Sequence, residues 1–152
     1  MLFRSTNSGF DPLGFASAAF DTITGGQRGG STITQQLVRN TLLEAADFEG
    51  SVYARKVKEI IQAIRVTKTF PGDAGKETIM RAYLNTNYYG ARAYGILAAS
   101  QEYFGISDLS QLTLGQAALL AGIPQSPSTF DLRASATTDA TGLITVALRS
   151  EE

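Results

Sequence analysis

Apolar residues along this chain recur mostly at helical spacing, and glycine or proline interrupts them at intervals. Asp11 followed by Pro12 pairs a side-chain N-cap with a first-turn proline, which predicts a helix over residues 11–23. A second helix is expected over residues 32–43, with residues 44–50 breaking it. Ser51 caps a long third helix reaching about Phe70, in which Tyr53, Val57, Ile60, Ile61 and Ile64 share one face. Pro71 and Gly72 stop that helix. Further helices are expected over residues 76–85, over residues 95–104 with Gly105 as C-cap, and over residues 114–121, closed by Gly122 and Pro124. No convincing strand alternation emerges, so the predicted class is all-α. Residues 1–131 read as one domain and residues 132–152 as a tail, Ala/Thr-rich from residue 134, with weak helical signal at residues 144–148.

Composition narrows the chemistry. With 152 residues, 43% of them hydrophobic, one domain with a real core is the expectation. A net charge of -1 provides no overall field for nucleic acid, so any anion must be held by local clusters. The absence of Cys excludes a disulfide framework or a thiolate zinc site, and the absence of His removes the commonest general base and leaves carboxylates as catalytic candidates. No stretch approaches the roughly 18–20 consecutive apolar residues of a membrane span, and the first eight residues are too short for a signal peptide.

Three groups of residues carry candidate chemistry. Gly25, Gly26, Gly29 and Gly30 allow close backbone approach to a ligand, and the following helix start attracts an anion. Ser31, Thr32, Thr34, Gln35, Gln36 and Asn40 then supply hydroxyls and amides, a recognition surface for sugars or amides; a flexible loop with a Ser or Thr N-cap fits the glycines equally. A nucleotide loop is a poor match, since Ser31 stands where GxxxxGK[ST] needs Lys and a predicted helix precedes the turn. On the third helix Glu59 projects between Arg55 and Lys56 at a groove edge flanking the apolar stripe; spacing alone also fits an exposed i,i+4 ion pair. Tyr83, Asn85, Tyr88, Tyr89 and Gly90 end the fourth helix with aromatic and amide groups of the kind that line sugar clefts, while Leu84 reads as core.

GGSTITQQ (29–36), RKVKE (55–59), YLNTNYYG (83–90), YGI (94–96), YFG (103–105) and AALLAGIPQ (117–125) followed by SPS resemble, in order, the signatures of the peptidoglycan glycosyltransferases. This is the family 51 transglycosylase domain of class A penicillin-binding proteins and monofunctional transglycosylases, and the resemblance covers roughly residues 9–131. It implies a lysozyme-like, two-lobed helical fold in which residues 31–36, Glu59 and residues 83–88 face one cleft. The implied reaction is polymerisation of lipid II. The GlcNAc 4-hydroxyl attacks the anomeric carbon of a growing lipid-linked glycan, with inversion and loss of undecaprenyl pyrophosphate. Glu59 is then the catalytic-centre carboxylate, and Gly30, Ser31, Thr32, Thr34, Gln35, Gln36, Arg39, Asn40, Arg55, Lys56, Tyr83, Asn85 and Tyr88 bind substrate. Arg28, Arg39, Arg55, Lys56 and Lys58 are the cations available to pyrophosphate. A divalent cation such as magnesium assists some members, but no metal-ligand cluster is legible here. The implied partners are lipid II, the growing glycan, the membrane surface and other cell-wall synthesis proteins, at the outer face of the bacterial cytoplasmic membrane, with no nucleic acid.

The departure from the family pattern is at the front. The first motif, EDxxFxxHxG, carries the family's general base; aligned on Gly9, its His falls on Asn7, its Phe on Arg4, its Asp on Met1 and its Glu before Met1. No Asp or Glu precedes Asp11. The sequence is therefore expected to be nearly inactive by itself, an N-terminally truncated form lacking the membrane helix of the family, and penicillin binding is not expected. The alternatives are a noncatalytic lipid II or glycan-binding remnant, and a lysozyme-like glycan-cleaving enzyme, which needs a carboxylic acid but no pyrophosphate cluster.

Overall fold

The structure, a computed structural model, describes residues 31–138 and 144–146. The helix expected over residues 11–23 and the glycine turn with Arg28 and Gly30 lie outside the described residues. The chain divides into two compact units, Met1–Thr86 and Asn87–Glu152.

In the first unit, α1 (Ile33–Thr41) packs on α3 (Val52–Thr69) and α4 (Gly72–Thr86), and short α2 (Ala45–Glu49) packs on α3. Ile33, Leu37, Ile79 and Tyr83 form the apolar core, with Val66, Met80 and Leu84 against it, so Leu84 has the core role expected of it. Three expectations are corrected. Residues 44–50 contain a helix, because Glu44 and Asp47 form a reciprocal capping box that satisfies backbone donors a five-residue helix cannot satisfy itself. The fourth helix starts at Gly72 instead of residue 76, with Asp73 in the first turn, where a carboxylate complements the helix dipole. The apolar stripe of α3 is not its most buried face: Ile60 and Ile64 are half-buried, but Tyr53 is 85% exposed, Val57 56% and Ile61 46%, and the buried positions are Glu59, expected on the flank of the stripe, and Ala63. The polar partners that α1 presents to α3 decide which face turns inward.

In the second unit, Tyr89, Ala93, Ala99, Leu120, Ile123 and Leu132 form the core beneath α5 (Ile96–Phe104) and α6 (Leu114–Gly122). Gly105 ends α5 in the left-handed conformation expected of it, with φ 69°. Leu132, the first residue of the stretch set apart as a tail, is buried in this core and opens α7 (Leu132–Ser135). A tight turn joins Tyr88 and Tyr94, which form an antiparallel bridge, with Tyr89 N–H donating to the Ala93 carbonyl at 2.9 Å. Gly90, Ala91 and Arg92 all have positive φ there, and a Cβ at Gly90 would lie 2.8 Å from the Tyr103 hydroxyl. The class is all-α with one local exception. β1 (Ala136–Thr138) pairs antiparallel with β2 (Ile144–Val146), where a weak helix was expected. Ile, Thr and Val are residue types that favour strands over helices, and they fill positions 144–146.

Candidate functional site

The site is built on the start of α1. Thr32 caps the helix: its Oγ1 accepts from Gln35 N–H at 3.2 Å, and Gln35 Oε1 accepts from Thr32 N–H at 3.3 Å. This capping box uses side chains that the sequence offered as part of a recognition surface. Thr32, Thr34 and Gln35 are buried instead, Ser31, Gln36 and Arg39 are half-buried, and Asn40 is exposed. The Gln35 oxygen also accepts from Lys56 Nζ at 3.3 Å. An ammonium can only donate, so this contact fixes which end of the amide is oxygen. Gln35 Nε2 is thereby left buried with no hydrogen-bond partner. An unpaired buried donor costs about 1–3 kcal/mol, which marks a place for an acceptor.

Glu59 has no exposed surface and is held by cations from two helices. Arg39 from α1 forms a fork, Nε to Oε1 at 2.8 Å and Nη2 to Oε2 at 3.0 Å. Lys56 Nζ reaches Oε2 at 2.9 Å and Ser31 Oγ at 2.7 Å, while Arg55 Nε stands 3.7 Å from Oε1 and makes no hydrogen bond. Burial pushes the Glu59 carboxyl up, but the hydrogen bonds from Arg39 and then Lys56 outweigh it and hold the pKa below the ordinary carboxylate value. The same contact raises the Arg39 guanidinium. Glu59 is therefore an ionised counter-ion at neutral pH. Three cations around one carboxylate leave two positive charges in excess, on side chains that are 24–37% exposed. The arrangement can hold a doubly charged anion and orient oxygen acceptors. No three His, Asp or Glu side chains come together among the described residues, and both Glu59 oxygens are taken by cations, so the donor set does not fit a divalent metal.

Residues 3–148 match the family profile described as Transglycosylase. The chain belongs to the transglycosylase family. It is 45% identical over 125 residues to penicillin-binding protein 1A of Vibrio cholerae, a match covering 81% of this chain and 14% of that protein. It is 43% identical over 127 residues to penicillin-binding protein 1A of Mycobacterium tuberculosis, covering 83% of this chain and 15% of that one. Penicillin-binding protein 1A/1B of Bacillus subtilis is 42% identical over 125 residues, covering 81% and 13%. The transglycosylase chain thus spans about a seventh of the length of the curated relatives it matches. The family is one of glycosyl-transferring enzymes of the bacterial cell wall.

Within this transglycosylase fold, Ser31, Thr32, Gln35, Arg39, Arg55, Lys56 and Glu59 meet in one network, and Lys56 bonds both Gln35 and Glu59. Gln36 and Tyr83 adjoin it through a 3.2 Å hydrogen bond. Glu59 is at the bottom of the network, where a groove edge was expected. Asn85 is exposed, and Tyr88 belongs to the second unit, its ring 4.9 Å from that of Tyr94. Lys58 is turned away to Asp47 at 2.6 Å, and hydrogen bonds from Lys58 and the Glu44 N–H hold the Asp47 carboxyl below its ordinary pKa. Phe48 was missed altogether: the Arg55 guanidinium stands 5.2 Å over its ring and is thereby aimed. The signal for it lay in the helix hidden within residues 44–50.

Proposed function

We propose that this chain is the pyrophosphate-holding part of a peptidoglycan glycosyltransferase that polymerises lipid II. The observation that carries the reading is the Arg39, Arg55, Lys56 and Glu59 cluster, cationic in excess, beside an unsatisfied amide donor on Gln35. In glycosyl transfer, a sugar hydroxyl bonds to the anomeric carbon and the bond from that carbon to the phosphate oxygen breaks. The leaving pyrophosphate takes the electron pair, and Lys56 and Arg55 neutralise it at half-exposed positions. Glu59 acts by fixing the Lys56 ammonium and the Arg39 guanidinium that hydrogen-bond it, because it is fully buried and ionised. The base that takes the hydroxyl proton belongs to the family's first motif, outside the described residues.

The membrane supplies the rest of the reading. Leu42, Phe48, Val52, Tyr53, Val57 and Ile61 are exposed on α2, α3 and the residue that ends α1. An apolar surface beside a cationic site suits a lipid-linked substrate at the outer face of the cytoplasmic membrane. No described helix is long and apolar enough to cross a membrane. A lysozyme-like cleavage reaction fits less well, since its acid needs a raised pKa and Glu59 is shifted the other way.

Replacing Lys56 or Arg55 with Ala is expected to weaken lipid II binding by about 1–3 kcal/mol for each charged hydrogen bond lost, measured by calorimetry at fixed salt. Unchanged binding in both variants removes the reading. Turnover separates an enzyme from a binding remnant: a remnant binds lipid II and forms no glycan even with the first motif supplied.

A further inference from the structure

Tyr83 is only 5% exposed and packs in the apolar core with Ile33, Leu37 and Ile79. Its hydroxyl nonetheless donates to Gln36 Oε1 on α1, forty-seven residues earlier, at 3.2 Å. A buried tyrosine hydroxyl needs a polar partner, and this one is the carboxamide oxygen of a half-buried residue beside the cationic cluster. Holding the oxygen turns the NH2 end of Gln36 away from the core. The neighbouring Gln35 is held in the same sense, by its oxygen, through Thr32 N–H and Lys56 Nζ. Two consecutive amides, about 100° apart around the helix, are therefore both anchored as acceptors inside and left as donors.

We propose that Tyr83 is a positioning residue: without contacting substrate, it fixes the Gln36 carboxamide so that its NH2 donates to an oxygen of the bound ligand. The inference rests on the reading of the site as one for a lipid-linked pyrophosphate glycan, whose phosphate and sugar oxygens are the acceptors such donors recognise. Phosphate oxygens only accept, so an amide turned the other way would repel them.

The test is a double-mutant cycle on the full 152-residue chain, with lipid II as the probe in calorimetry and thermal melting beside it. Tyr83→Phe is expected to weaken binding roughly 3- to 10-fold, in line with one hydrogen bond lost at an intact site. Gln36→Ala is expected to weaken it at least as much, and Tyr83→Phe added to Gln36→Ala to weaken it no further. Gln36→Glu keeps the acceptor for Tyr83 but replaces the donor with a charged oxygen, and is expected to bind more weakly than Gln36→Ala. Equal losses from Tyr83→Phe with and without Gln36 mean a merely structural tyrosine and overturn the proposal, as does unweakened binding by Gln36→Glu. If Lys56→Ala weakens binding while Tyr83→Phe does not, the positioning role falls and the pyrophosphate reading stands. If the unsubstituted chain does not bind lipid II, both fall.

Discussion

Each unit of the molecule builds a cluster around one carboxylate, and the partners differ. Asp131 in the second unit is met by neutral donors: Ala91 N–H at 3.1 Å, Arg133 N–H at 3.0 Å and the Tyr103 hydroxyl at 3.2 Å. The single Tyr103 hydroxyl hydrogen is shared between Asp131 and the Tyr89 carbonyl, which is nearer at 2.6 Å, and burial followed by the Asp131 charge raises the pKa of Tyr103, so it remains a protonated donor. The product is a locked turn. Glu59 in the first unit is met by three side-chain cations, and charge is left over. Neutral donors exhaust a carboxylate in shaping the backbone, whereas surplus cations leave a field for a ligand. The same residue type is scaffold in one place and counter-ion in the other.

The sharpest way to break this contrast is to delete the two carboxylates. Glu59→Ala leaves three cations crowded together and is expected to destabilise the chain by about 2–4 kcal/mol, the range for a broken buried ion pair discounted for the partial exposure of its partners. Chemical denaturation measures it. A loss of a few tenths would mean that water already solvates those cations and that Glu59 does not organise them.

Asp131→Asn keeps one acceptor oxygen and loses the charge, and a smaller loss of about 1–2 kcal/mol is expected from the weakened bonds to Ala91 and Tyr103. Because the donors to Asp131 shape the turn, lipid II binding measured at a temperature where the variant is folded should be unchanged. A variant that weakens binding as much as Lys56→Ala would erase the distinction between the two clusters.

Acid titration sharpens the comparison further. The folded pKa of Glu59 lies below the unfolded value, so its contribution to stability is present above the unfolded carboxylate pKa of about 4.3 and is lost as pH falls through the folded pKa. The stability of the unsubstituted chain should therefore fall below about pH 4 more steeply than that of Glu59→Gln, measured by chemical denaturation across the acid range. Parallel curves would assign the acid sensitivity elsewhere.

The smallest effect is expected at the turn itself. Arg92 has φ 64° and makes no ion pair among the described residues. Arg92→Gly relieves a left-handed strain of about 1–2 kcal/mol against a cost of about 0.5–1 from greater unfolded-chain freedom, a net gain near 0.5–1 kcal/mol. Thermal melting with no gain would show that the tertiary contacts of the turn already offset the strain.

Some of this architecture is legible in the sequence because its causes are local. Thr32 caps α1 and Gly105 closes α5 through bonds spanning a few residues, so residue type and spacing suffice to place them. The motif residues around Ser31, Gln35, Arg55, Lys56 and Glu59 could be named for the same reason, as members of short signatures in order. Tertiary structure decided the rest. Nothing local tells Arg39 to fork onto Glu59 twenty residues later, or Tyr83 to reach back to Gln36. Periodicity puts Tyr53, Val57, Ile60, Ile61 and Ile64 on one face of α3, but it registers which residues share a face and not what stands opposite, and only Ile60 and Ile64 of the five are half-buried. Opposite α3 stands a polar helix start, and burying Glu59 with its cations there satisfies charge and hydrogen bonding together. That pairing of two helices left Tyr53, Val57 and Ile61 outside.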